Sequence, residues 1–278
     1  MLTFSPVDTD LPDARTSTGR RRPPTKDRAF TARSVIASTL LGTTPPTLPA
    51  KTLLRSCALF SISAATARTA LARMVASGEI EPRGDRYTLL GHLRQRQLRQ
   101  TESRRGEVTS VWDGTWILHV VSRDSRDAAE RARLRAAMYR LRISEMYPGS
   151  WIRPDNLRGD NHLEASNKVR EQCLSFRGAQ PDAPERLVHV LWDLRDWARE
   201  ANGLTDAMKV TGATLRLDDQ VGLADAFALN ARVLRLLQAD PLLPPVLLPA
   251  DWPGSSLRAT FESFDEAFIA AWRAWLRS

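Results

Sequence analysis

The chain is poor in the residues on which metal and redox chemistry depend. Of its 278 residues, two are cysteine and four are histidine. Cys57 and Cys173 stand far apart in mostly apolar surroundings. Such spacing argues against a disulfide framework and against a structural zinc site, and the two thiols are expected to be reduced core residues. No metal and no cofactor is expected. Long apolar runs are also missing: no stretch of 18 uncharged apolar residues occurs, so no membrane span is expected. The N-terminus begins Met1-Leu2-Thr3-Phe4 and soon meets Asp8, Asp10 and Asp13. It has no signal-peptide pattern, and a cytoplasmic location is expected. The motifs of common enzymes are absent as well. There is no Walker-type phosphate loop, no Gly-x-Gly-x-x-Gly, no His-Glu-x-x-His and no nucleophile elbow, and an enzyme is not expected. Lysine is scarce, since 36 of the 40 basic residues are arginine.

What the chain does have is positive charge on one side. Residues 1–110 carry 18 Lys and Arg against 9 Asp and Glu, a net of +9, whereas residues 111–278 carry 22 against 23. An arginine-rich composition raises the total of +8 but does not by itself place the whole excess in the first part. A basic module joined to a near-neutral one suggests a polyanion binder attached to something else. A hydrophobic content of 42% suits a globular chain of about two or more domains.

The most informative stretch is Ser61 to Gly78. Ser63 suits an N-cap, and Gly78 suits a C-terminal stop. Ala67, Ala70, Leu71, Met74 and Val75 recur at the spacing of one buried helical face. The opposite face carries Ala65, Thr66, Thr69, Ala72, Arg73 and Ala76, with Arg68 at its edge. Small residues, hydroxyls and guanidinium groups on one face are equipped to enter a groove and touch phosphates and base edges. The helix alone reads equally well as inert surface. Its neighbours tip the balance. Two helices are expected before it, Ala32 to Leu41 and Leu48 to Phe60, the second starting near Pro49. After it, Glu79 to Leu90 reads as two short strands joined through Gly84-Asp85, with Arg83 and Arg86 at the tip. The unit predicts a winged helix-turn-helix. Ser63, Ala65, Thr66, Arg68, Thr69 and Arg73 are its candidate groove residues. Arg83 and Arg86 are candidates for flanking phosphates or the minor groove.

The rest of the chain divides by composition. Residues 1–28, with four prolines and Arg20-Arg21-Arg22, read as a disordered basic arm. Residues 29–91 form the expected DNA-binding domain, and residues 92–110 an Arg- and Gln-rich connecting helix. Residues 111–180 read β-α-β-β-α-β, the order of a ferredoxin-like domain expected to dimerise. Residues 181–278 are helical, interrupted by the proline-rich, apolar loop Ala239 to Gly254, which is expected to pack rather than float. The fold class is α+β. A nuclease built on the central domain would need a metal-binding carboxylate where its first strand ends. That strand runs His119-Val120-Val121-Ser122, with Asp124 beyond it between Arg123 and Arg126, a poor ligand set.

Five motifs, in order, resemble the PaaX family of bacterial transcriptional repressors. They are Ala67 to Gly78, Trp112-Asp113-Gly114-Thr115-Trp116, Pro148 to Leu157, Leu191-Trp192-Asp193-Leu194, and Asp240-Pro241-Leu242-Leu243-Pro244 continuing from Leu247 to Gly254. The resemblance implies a winged-helix DNA-binding domain and a central ferredoxin-like domain similar to a small CRISPR-associated nuclease. It further implies a helical C-terminal domain, a homodimer, and repression of a double-stranded DNA target relieved by an acyl-coenzyme A thioester. Trp192 and Trp252 could line the effector site, although tryptophans of this kind more often serve a core. Arg195, Arg199, Arg232 and Arg235 would meet coenzyme phosphates or form an ion-paired face with Asp193, Asp196 and Glu200. The chain departs from the family where Arg195 to Ala201 lacks an expected tyrosine and where Leu234 to Ala239 lacks a basic pair, so an aryl-acetyl thioester is not assumed. The alternative reading is a non-specific nucleic-acid-binding or nuclease-like protein using the central domain.

Overall fold

The computed structural model describes residues 30–106, 111–122, 127–157, 162–215 and 220–277. The expected arm at 1–28 and the residues Arg123, Asp124 and Arg126 lie outside the described residues. The fold is mixed α and β, with two small antiparallel sheets. Its contacts group into two compact units.

The first unit holds the described residues of Met1–Arg104, Gly203–Gln238 and Ser256–Ser278. Helix α1 (Ala32–Leu41) starts at a capping box between Thr31 and Ser34. It is buried along almost its whole length, with Val35, Ile36, Leu40 and Leu41 fully enclosed. Around it pack α2 (Ala50–Ala58) and α3 (Ala64–Ala76). The second helix begins two residues later than the sequence suggests. Residues Thr47–Pro49 instead form a short strand, β1, against β3 (Arg86–Leu89), which pairs on its other side with β2 (Ile80–Arg83). The extended backbone of Pro49 (φ −62°, ψ 147°) suits a strand end. The Thr47 and Thr88 hydroxyls meet across the pair at 2.9 Å.

Residues 91–105 form one helix, α4 (Gly91–Arg105), with Leu93, Gln97, Gln100 and Ser103 buried. Gln97 donates to the carbonyls of Leu41 and Thr43 at 2.9 and 2.8 Å, satisfying the end of α1. Arg104 pairs with buried Asp265 and lies 4.7 Å from the ring centre of Phe261. Both partners sit on α10 (Gly254–Arg277). Asn230 on α9 (Gln220–Ala239) donates to the same carboxylate at 2.6 Å. Phe30 and Phe60 pack on Phe227 of α9, and Phe227 on Phe268 and Trp272 of α10. Residues 203–238 and 256–278, C-terminal in sequence, therefore complete the core behind α1 and α2.

The second unit holds the described residues of Arg105–Asn202 and Ala239–Ser255. Its strands β4 (Trp116–Val121), β5 (Ser144–Tyr147), β6 (Ser150–Pro154) and β7 (Cys173–Ala179) form an antiparallel sheet in the order β5-β6-β4-β7. Helices α5 (Ala128–Arg140) and α6 (Leu163–Gln172) contribute to a core with Trp151, Val121 and Cys173. A second cluster joins Trp116, Leu118 and Ile152 to Val188 of α7 (Pro184–Leu191), to Leu194 at the start of α8 (Leu194–Thr214), and to Leu243 and Leu247 of the proline-rich loop. The loop is thus packed, as its apolar composition requires. Strand alternation sends neighbouring residues of β4 and β6 to opposite faces.

A guanidinium is enclosed in this unit. Arg153 is 4% exposed, and no carboxylate pairs with it among the described contacts. Its five N–H donors each find an acceptor. Nε donates to the Pro154 carbonyl at 2.9 Å, and Nη1 to the Leu141 and Arg142 carbonyls at 3.1 and 3.2 Å. Nη2 donates to Asn156 Oδ1 at 2.7 Å and to the Leu242 carbonyl at 3.5 Å. Burial pulls the guanidinium down to about 9, so it stays charged at neutral pH. Two acceptors belong to residues in the left-handed region, Arg142 (φ 58°) and Leu242 (φ 49°), a conformation that non-glycine residues adopt at a cost. Asn156 Nδ2 also donates to the Leu242 carbonyl at 2.9 Å, and Asp240 Oδ1 accepts from the Leu242 N–H at 2.9 Å. These bonds hold the proline-rich loop to β6 and to the end of α5.

Both cysteines are free and buried, and burial pushes the Cys57 thiol up to about 12. Among the described residues no helix is long and apolar enough to cross a membrane.

Replacing Arg153 by alanine takes a donor from each of five acceptors, of which the Leu242 carbonyl keeps Asn156, and should cost about 3–5 kcal/mol. Arg153→Lys, with three donors instead of five, should still lose about 2 kcal/mol, read by urea unfolding. His119 on β4 is enclosed, its Nδ1 2.7 Å from Ser175 Oγ. Burial first, then the charge of Arg177, lowers it from 6.5 to about 4. The unfolded chain therefore takes up this proton before the native one does. The contribution is present above pH 6.5 and is lost as pH falls toward 4. Melting temperatures measured over that window should fall less steeply in His119→Gln than in the parent.

Candidate nucleic-acid interface

Helix α3 is built to show one face. Ser63 caps it, its Oγ accepting from the Thr66 N–H at 3.2 Å. The helix ends at Gly78 (φ 69°), where the Glu79 N–H reaches the Met74 carbonyl and the Gly78 N–H that of Val75. This is the left-handed C-terminal turn that glycine adopts without strain. The turn before α3 closes the same way, with Ser61 (φ 56°) in the left-handed position and Ile62 N–H bonded to Cys57. Arg33 and the buried Glu79 form a two-pronged pair, at 2.5 and 2.9 Å, that ties the start of α1 to the end of α3. Ala67, Leu71 and Met74 go inward, with Ala70 and Val75 packed at the margin. Ala65, Thr66, Arg68, Thr69, Ala72, Arg73 and Ala76 are all exposed.

The polar atoms on this face are not equally available. Thr66 Oγ1 lies 2.9 Å from Ser63 Oγ, and Thr69 Oγ1 donates to the Ala65 carbonyl at 3.0 Å. Both hydroxyls are thereby oriented. Arg68 and Arg73 have no hydrogen-bond or ion-pair partner among the described residues. The hairpin cations differ. Arg83 pairs with Glu81 at 2.9 Å, and Arg86 donates to the Thr47 carbonyl at 3.1 Å. Gly84 (φ 63°) makes the turn between them.

Beside α3 the surface dips into a pocket of about 510 Å³, lined by Ala50, Lys51, Leu54, Arg68, Leu71 and Tyr87. Sequence reading missed Lys51. It counted residues 48–60 as one helix, whereas strand β1 ends at Pro49 and the Ala50 N–H bonds to the Asp85 carbonyl at 2.8 Å. That bond ties the start of α2 to the hairpin turn that precedes β3, the strand carrying Tyr87.

Comparison with known proteins adds a second line. Three family models match in the same order as these elements. A PaaX-like protein model covers residues 31–91, a PaaX protein central Cas2-like domain covers 109–187, and a PaaX-like protein C-terminal domain covers 192–278. The chain belongs to the PaaX family. It is also similar to a solved structure, the uncharacterized protein Rv0674 from Mycobacterium tuberculosis. The two are 37% identical over 88% of this chain and 98% of the other, with a TM-score of 0.66. No curated protein is significantly similar to the chain. PaaX membership suggests a transcriptional regulator rather than an enzyme.

The PaaX motifs can now be placed. Trp112 donates from its indole N–H to the Thr115 carbonyl at 2.7 Å. Trp116 is fully buried beside Trp112 and Trp192. The motif from Pro148 to Leu157 contains the β5–β6 turn and Arg153. Of the candidate effector residues, Trp192, Arg195, Arg199 and Trp252 belong to the second unit, and Arg232 and Arg235 to the first. Trp252 stacks on Trp197 with centroids 4.4 Å apart. Arg199 pairs with Asp196. Arg195, Arg232 and Arg235 are exposed.

Ser63→Ala removes the side-chain acceptor of the Thr66 N–H at the start of α3. It should cost about 1 kcal/mol, measured by chemical unfolding, with the secondary structure at 25 °C unchanged.

Proposed function

We propose that this PaaX-family chain is a sequence-specific DNA-binding transcriptional regulator, acting as a dimeric repressor released by a small-molecule effector such as an acyl-coenzyme A. The observation that carries the reading is the outward face of α3. It is slim, it holds two oriented threonines, and Arg68 and Arg73 have no partner among the described residues. In this reading residues 30–91 are a winged helix-turn-helix. Its turn runs through Ser61, its recognition helix is α3, and its wing is the β2–β3 hairpin. Thr66, Thr69, Arg68 and Arg73 meet the major groove. Ser63 and Ala65 sit at the helix start, close to the backbone.

The wing is weaker in this role than its composition suggests. Arg83 must leave Glu81 to reach a phosphate, but an exposed pair of this kind is worth little. The order β5-β6-β4-β7, with two helices in its core, supports a ferredoxin-like central domain. The outer edge of β7, where Leu174 and Phe176 are 58% and 52% exposed, supports dimerisation through that domain, because an uncovered apolar edge favours pairing. A two-fold dimer matches a palindromic or repeated operator.

Genome-wide pull-down should return a few discrete promoter fragments; a diffuse or RNA-dominated profile overturns the reading. On such a fragment, Thr69→Ala or Arg73→Ala should cost about 1–3 kcal/mol of specific binding. Arg83→Ala should weaken binding to every sequence and lower the salt slope by about one. Gel-shift titrations at several salt concentrations measure all three, and unchanged affinity throughout sinks the assignment.

A further inference from the structure

Most cations of the first unit that meet a carboxylate or a carbonyl are committed to it: Arg33 to Glu79, Arg83 to Glu81, Arg104 to Asp265, Arg86 to Thr47. Lys51 and Arg68 are different. They share the rim of one pocket, neither has a hydrogen-bond or ion-pair partner among the described residues, and no acidic residue lines the pocket. Its wall is apolar, made by Leu54, Leu71 and the ring of Tyr87. Lys51 and Arg68 are exposed, whereas Leu71 is buried.

We propose that this pocket seats one phosphodiester of the DNA backbone, with Lys51 and Arg68 on the phosphate oxygens, the Tyr87 hydroxyl as a further donor, and the deoxyribose against Leu54. The proposal rests on the DNA-binding reading of α3 and adds a site to it. Two unpaired cations at one mouth attract an anion, and an apolar wall beside them suits the sugar. Arg68 lies at the edge of the α3 face as well as on the pocket, so it meets the major groove at a bordering phosphate rather than at a base. A phosphate seated here is therefore held at a set offset from the bases that Thr69 and Arg73 face. Phosphate contacts position a reader without specifying sequence, so Lys51 acts as a register residue.

Fluorescence anisotropy of the full chain on duplex DNA tests this, using a promoter fragment and an unrelated duplex across a salt series. Lys51→Ala should weaken binding to both duplexes several-fold and reduce the slope of log affinity against log salt by about 0.9. Lys51→Arg should restore both, Tyr87→Phe should lose less, and Lys168→Ala in the other unit should change nothing. The same slope in Lys51→Ala as in the parent, with binding still lost in Arg73→Ala, overturns the phosphate seat and leaves the DNA reading standing. Unchanged binding in both variants overturns both. A thermal shift with free carboxylic acids that disappears in Lys51→Ala, while the DNA slope does not move, assigns the pocket to a small anion and overturns the proposal.

Discussion

Arg153 carries a positive charge inside the second unit with no carboxylate hydrogen-bonded to it among the described residues. Removing a guanidinium from water is expensive, and a single ion pair offsets that cost only with good geometry and further hydrogen bonds. Here the offset comes from oxygens of the backbone and one amide, one for each donor. The arrangement has consequences well beyond β6. The carbonyls must be delivered from the end of α5 and from the proline-rich loop, and two residues accept a left-handed backbone in doing so. A loop with five prolines and almost no regular structure is thereby held against the sheet, where Leu243 and Leu247 complete its core.

The same demand shapes the first unit by another route. Arg104 finds Asp265, itself bonded to Asn230, and so draws α4, α9 and α10 together. Burial holds the Asp265 carboxyl above its usual range despite the opposing charge of Arg104. Arg55 lies over Trp275 and donates to the Leu276 carbonyl near the end of α10. The last helix is therefore bonded at both the Asp265 level and its C-terminal end to elements from the first half of the chain. The aromatic cluster from Phe30 to Trp272 fills the space between.

What is left over after these pairings is informative. An arginine-rich chain must either bury, pair or expose its cations, and three of those without a hydrogen-bond or ion-pair partner among the described residues, Lys51, Arg68 and Arg73, lie on and beside α3. No carboxylate pairs with them among the described residues, whereas the wing arginines are held by Glu81 and Thr47. Positive charge that the fold itself does not use is the feature that links this architecture to a polyanion. PaaX membership points to regulation, and the α3 face gives that regulation a physical reading.

Much of this was legible in local sequence. Helix α3, its Ser63 cap, its inward residues and the hairpin at Gly84-Asp85 follow from periodicity and turn chemistry, because each depends on residues within a few positions of one another. The α6 boundaries and the strand–helix order of 116–179 follow for the same reason. Long-range pairing was not legible. Pro49 reads equally as the first turn of a helix or the end of a strand, and only the partner strand β3 decides it. That choice ties the start of α2 to the hairpin and puts Lys51 with Arg68 and Tyr87. The basic helix α4 reads as a connector, since its Gln97 and Arg104 reveal their roles only when α1 and α10 are in place. Sequence alone determined most of the helices and hairpins and which face of α3 is polar, since these are short-range properties of spacing, whereas the strand Thr47–Pro49 waited on its partner. Tertiary structure decided which cations are spent inside the fold and which remain for a ligand, since pairing depends on distances that chain order does not set.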